Sequence, residues 1–217
     1  MSTFPRSPKV LKGALVGIEQ LPLPPRIIVF QYNPDSMERS LSARTEGENE
    51  NGSDHRTSGP PRESISLNIE LDATDQLENN EFPERTHGLH PALASLELLM
   101  YPASAAVIAN NILSLGGMIE VIPPKGPLTL LIWNPNRVLP VKLKECRITE
   151  TAFDPLLNPI QAEVSLSMDV LTYEDLGMIS AGGKIFMVHH ISKEVLSAIN
   201  QTKTVGKTIL DAVNAVK

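Results

Sequence analysis

Gln161-Ala162-Glu163-Val164-Ser165-Leu166-Ser167-Met168-Asp169-Val170-Leu171-Thr172-Tyr173 alternates at length, and Ser64-Ile65-Ser66-Leu67-Asn68-Ile69-Glu70-Leu71 alternates strictly. Successive side chains of a strand point to opposite faces. Ala162, Val164, Leu166, Met168 and Val170 therefore share one face, as do Ile65, Leu67, Ile69 and Leu71. Serines, acids and an asparagine fill the other faces, so both segments read as half-buried strands.

Further strands flank these two. Val141 to Cys146 also alternates, and Phe153-Asp154-Pro155-Leu156-Leu157-Asn158-Pro159 joins it to the Gln161 segment as a long antiparallel hairpin. Leu128 to Trp133 is a short apolar run stopped by Asn134-Pro135-Asn136. Arg26 to Tyr32, β-branched and aromatic, ends at Asn33-Pro34-Asp35, and Lys9 to Ile18 serves as a first strand. Proline rings exclude regular structure from Leu21 to Pro25. One helix is expected between Pro91 and Met100, with Leu93, Leu96, Leu99 and Met100 on one face and Pro91 in the first turn. Ala103 to Leu115 reads as a short helix or a loop, closed by Gly116-Gly117, and Asp72 to Thr86 as a polar loop. The expected fold is mainly β, an antiparallel barrel or sandwich with one flanking helix.

Two stretches stand apart. Residues 42–62 are polar and aromatic-free with Gly47, Gly52 and Gly59, so the segment buries too little apolar area to offset its ordering entropy. A loop this long is functional or disordered. After Tyr173, Gly182-Gly183 is a candidate hinge, and beyond Ser192 the spacing turns helical. Val195, Leu196 and Ile199 form one stripe and Ile209, Leu210, Val213 and Val216 another, with Gly206 interrupting the tail. Two units are expected, a β domain over residues 1–176 and a hinge with a helical tail over 177–217.

Composition narrows the function. A net charge of −6 carries no basic footprint for nucleic acid. The single Cys146 forms no internal disulfide, which points to a reducing compartment. No apolar run reaches membrane-span length and the first residues lack a signal pattern, so folding and assembly are expected in the cytoplasm. Four per cent aromatic content is low for a sugar-binding or base-stacking surface. Catalytic motifs fail in turn. Val205-Gly206-Lys207-Thr208 resembles the end of a phosphate-binding loop, but Gln201 stands where its first glycine belongs, and Gly182-Gly183-Lys184 has Met178 there. His87 and His90 have no cysteine or carboxylate at ligand spacing, His189-His190 make a poor chelate, and Cys146 reads as a small buried strand residue. No catalytic residue, metal or cofactor is expected.

One family resemblance joins these pieces. Phe30-Gln31-Tyr32-Asn33-Pro34-Asp35-Ser36-Met37-Glu38-Arg39-Ser40 resembles the F-Q-F/Y-N-P-x-x-x-x-R-S opening of tube-type proteins in contractile injection systems, the phage-tail-like particles. Ser58-Gly59-Pro60-Pro61-Arg62-Glu63, leading into Ser66-Leu67-Asn68-Ile69-Glu70-Leu71-Asp72-Ala73-Thr74-Asp75, is similar to the family's second segment. The Leu89–Met100 helix and the strands from Pro127 to Asp175 follow in the family's order, so the likeness spans about residues 10–176. It implies a six-fold ring coaxial with the injection tube, contacting other tube, sheath, spike or baseplate subunits. Several baseplate-type members carry a LysM module after this domain, whereas residues 177–217 lack a βααβ pattern.

The resulting expectation is a non-catalytic ring subunit, a baseplate adaptor or tube initiator. It belongs to a particle that is cytoplasmic, membrane-associated or released. A terminal cap adaptor of the same particle and a free-standing ligand-binding β-sandwich are the alternatives. Candidate contact residues are Arg44, Arg56 and Arg62 by the polar loop and Val195, Ile199, Ile209, Leu210 and Val213 in the tail, which docks on a neighbour or packs on its own barrel.

Overall fold

The computed structural model describes residues 11–19, 24–44, 59–79, 82–115 and 126–215, with the side chains at 113, 115 and 202–215 outside the description. In chain order the elements are β1 (Ala14–Ile18), β2 (Arg26–Val29), β3 (Met37–Ser42), β4 (Arg62–Asp72), α1 (Thr74–Glu78), α2 (Glu84–His87), α3 (His90–Glu97), α4 (Ser104–Leu115), β5 (Leu128–Asn134), β6 (Arg137–Phe153), β7 (Pro159–Val170), α5 (Tyr173–Leu176) and α6 (Ala181–Ala215). Among the described residues the strands form one seven-stranded sheet in the order β2-β1-β5-β6-β7-β4-β3, with every neighbour antiparallel. The protein is mainly β with flanking helices, as expected.

The alternating residues do what their spacing predicts. Ile65 pairs with Met168, Leu67 with Leu166, Ile69 with Val164 and Leu71 with Ala162, and all eight are buried in one core. Burying a Leu, Ile, Val or Met side chain is worth roughly 1.5–3 kcal/mol, so this face dominates the drive to fold. In β6 the register shifts between Leu143 and Glu145. Val141 and Leu143 face the core before the bulge, and Cys146 and Ile148 pack partly against it after. Cys146 is thus half-buried rather than fully buried, and burial pushes its thiol pKa up.

The sheet is strongly rolled. Flat, β2 and β4 would lie about 24 Å apart, five strand spacings. Instead the Gln31 side chain, just past β2, donates Nε2–H to the Asp72 carbonyl at 2.6 Å and accepts the Asp72 N–H at Oε1 at 2.8 Å. Asn33 makes a similar clamp, accepting the Gly13 N–H and donating to the Leu11 carbonyl. Phe30 between them is fully buried, and a Cβ on Gly13 would come within 2.6 Å of its ring. Leu93, Leu96 and Leu99, in α3 and its C-terminal turn, join the same core.

Several expectations need correction. Met37–Ser42 is an edge strand, although its polar sequence carries no alternation. The polar loop at 72–86 contains α1 and α2. Met100 is exposed while the other three positions of its stripe are buried. Ala103 to Leu115 resolves as a helix. The tail helix begins at Ala181, not after Ser192, and runs through Gly206 without interruption. Gly182-Gly183 lies in its first turn, where a Cβ on Gly183 would sit 2.1 Å from the Gly177 carbonyl oxygen. Close packing, not hinging, explains that pair. Lys9, Leu21 to Leu23, Gly116-Gly117 and most of the 42–62 loop lie outside the described residues.

Candidate assembly surfaces

The helix α6 is anchored through its first turns and exposed from Glu194 to Gln201. Gly182 lets the helix approach β5, since a Cβ there would meet Leu176 at 2.5 Å and Leu128 at 3.3 Å. Phe186 enters the core and meets the Tyr173 ring edge-on, centroids 5.9 Å apart. His189 and Lys193 continue the same stripe. His189 is buried, its Nδ1 donating to the Asn136 carbonyl at 3.1 Å. Burial, with Lys193 close by, holds its pKa below the usual imidazole value.

Lys193 reaches Glu63, whose other carboxylate oxygen accepts from Arg39 Nε at 2.7 Å. Glu63 shares the inward face of β4 with Ile65, so its carboxylate is buried between β3 and α6. Ion pairs in such surroundings keep their partners in place, because removing one leaves a buried charge uncompensated. From Glu194 to Gln201 the helix is exposed on every side.

Three features present apolar side chains outward. On α6 these are Val188, Ile191, Val195, Leu196 and Ile199. The helix α4 has no charged residue and exposes Val107, Ile108 and Ile112, the last at 64%. The β6–β7 hairpin tip exposes Leu156 at 80% and Leu157 at 76%. Leu157 is held at φ 64°, a left-handed conformation unfavourable for a leucine. Asp154 enforces it by accepting the N–H groups of Leu156 and Asn158 at 2.7 and 2.8 Å. The Asn158 side-chain amide, donating to Asp154 Oδ2 at 2.8 Å, and then these backbone N–H groups hold the Asp154 carboxyl below its usual range. The terminal strands β2 and β3 add exposed Ile27, Val29 and Leu41, and among the described residues no strand pairs with their outer edges.

The residues singled out from sequence separate here. Val195 and Ile199 stand exposed on α6. Ile209, Leu210 and Val213 lie on its helical backbone, with their side chains outside the described residues. Arg44 makes an internal contact, pairing with Glu174 and, at 3.8 Å, with Asp175 of α5. Arg62 is exposed at the start of β4, opposite Ser42. Arg56 lies outside the described residues. The Glu63 cluster, α4 and the strained leucine were missed. Glu63 was legible in principle, because it has the same parity as Ile65 and so had to point inward.

An open polar cleft of about 700 Å³ separates the Gln31–Ser36 turn from β4 and β7, bordered by Lys12, Asp35, Glu70 and Glu163. Glu70 and Glu163 are direct cross-strand partners. Among the described residues no group of three His, Cys, Asp or Glu side chains is placed to hold a metal. No described helix is long and apolar enough to cross a membrane. No protein-family profile matches this chain, and no curated protein does.

Proposed function

We propose that this protein is a non-catalytic structural ring subunit of a contractile injection system, acting as a baseplate adaptor or tube initiator that joins tube or spike to sheath and baseplate. The observation that supports it is the outward apolar surface. The helix α4, the hairpin tip, the α6 arm and two open strand edges all display groups that a monomeric module would cover. A closed ring covers them by repetition, since each copy offers one edge to the next. The sequence likeness to tube-type proteins supplies the six-fold symmetry and the particle.

The mechanism is geometric. The rolled sheet, clamped by Gln31 and Asn33, is a rigid block that sets diameter and register, while α4, the hairpin tip and α6 reach the neighbours. The test is electron microscopy of the purified full-length protein, together with its detection in intact particles. Six-fold rings, or one ring per particle at the baseplate, support the proposal. A ring at the opposite end makes it a cap adaptor. A chain that stays monomeric and is absent from particles overturns the ring and leaves a ligand-binding module.

A further inference from the structure

We infer that the root of α6 is an acid-sensitive latch, which opens on its own, ahead of the sheet, when His189 takes up a proton. The inference concerns a single copy of the chain and does not rest on the ring. His189 is 7% exposed. Its Nδ1 donates to the Asn136 carbonyl at 3.1 Å, which fixes the tautomer of the neutral ring and leaves a lone pair on Nε2. That Nε2 is buried and has no hydrogen-bond partner. A proton arriving there adds a donor with nothing to accept it, and a charge withdrawn from water.

The surrounding charges oppose the proton further. Lys193 lies one turn along α6, and Arg137 opens β6 directly after Asn136. Glu63 of β4 is the carboxylate that attracts a charged ring, but its two oxygens already serve Arg39 of β3 and Lys193. Arg137 reads the same excess of positive charge, since burial and then Arg39 lower its pKa. His190, next along the helix, is half-exposed, stacks on Phe186 and pairs with Glu194 at 3.4 Å. The latch is separable from the sheet. Among the described residues Phe186 is the one core residue that α6 contributes, whereas β4, β7 and the leucines of α3 close the rest of the core without it. The joint ahead of α6 is solvated, with Gly177 at φ 80° and Met178 and Ile179 exposed. A helix held by so few buried groups on such a joint opens at lower cost than the whole fold. Once released, the ring titrates near 6.5, while in the docked helix burial first, then Lys193, hold its pKa lower. The hold of the neutral ring is therefore full above about pH 7 and is lost as pH falls through 6.5 toward the docked value.

The test is amide hydrogen exchange of the full-length protein at pH 7.5 and 5.5, corrected for intrinsic exchange rates. At pH 5.5 a released ring is mostly protonated, which caps the effect at about ten-fold. Protection over residues 184–193 should fall by about three- to ten-fold, and should be lower than that of β4 and β7 at both pH values. His189→Gln should reduce the fall to less than about 1.5-fold, and His190→Gln should leave it intact. Equal protection in the helix root and the sheet means that α6 opens only with the whole fold, and overturns the inference. So does protection over 184–193 that is independent of pH, a fall that persists in His189→Gln, or one that vanishes in His190→Gln. If His189→Gln leaves the root unprotected even at pH 7.5, the His189 ring of the parent protein is titrated by nuclear magnetic resonance. Uptake of its proton below pH 6.5, in step with the loss of protection, supports the latch, and uptake at or above pH 6.5 overturns it.

Discussion

The Gln31 carboxamide does at the open side of the sheet what a peptide group does within it, offering one donor and one acceptor to the Asp72 backbone. Gln31→Ala leaves both Asp72 groups without those partners and should cost about 2 kcal/mol, read as a lower urea midpoint. His189 sets a pH dependence. In the unfolded chain its ring titrates near 6.5, and in the folded protein burial lowers that value. As pH falls the unfolded state takes up the proton first. The stability from the neutral ring is thus full above about pH 7 and is lost as pH drops through 6.5 toward the folded pKa. Thermal melts at pH 7.5 and 5.5 should differ, and His189→Gln, which keeps a donor for the Asn136 carbonyl, should narrow the difference. An unchanged difference would exclude His189 as its source. Both residues stood in view in the sequence, Gln31 within the tube-like opening and His189 as half of a poor chelate. Neither role was legible, because each partner lies more than 40 positions away.

Elements were legible in proportion to how much of their packing is written in a local period. The strands β4 and β7 alternate throughout and were read almost to their ends, whereas β3 is a polar edge strand with little inward face and escaped. The bulge in β6 was present as a three-residue step from Leu143 to Cys146, which breaks the two-residue period. The glycine pair at 182–183 reads as punctuation, yet both glycines are buried at the root of α6. Gly183→Ala forces a methyl against the Gly177 carbonyl, and should cost about 2 kcal/mol or more. Faster proteolysis within residues 181–200 is the expected readout. If cleavage is as slow as in the parent protein, the close approach at Gly177 does not hold the helix.

For the molecule as a whole, α6 packs on the sheet over its first three turns and is exposed from Glu194 to Gln201. Stopping the chain after Glu194 keeps Phe186, His189 and Lys193 in place, so the melting temperature should shift by no more than about 3 °C. Phe186→Ala instead empties a core position and should cost about 3 kcal/mol, read by chemical denaturation. If the two changes destabilise equally, the arm is part of the fold and the division is wrong. The sequence by itself determined that this is a mainly β chain with a helical end, because alternation and helical spacing are local properties that set which face is apolar. Only the tertiary structure decided that the sheet rolls until Gln31 meets Asp72, that Arg44 pairs with Glu174 of α5, and which side of α6 packs on the sheet. Those outcomes depend on contacts between segments distant in the chain, and such pairings leave no period in the sequence to read.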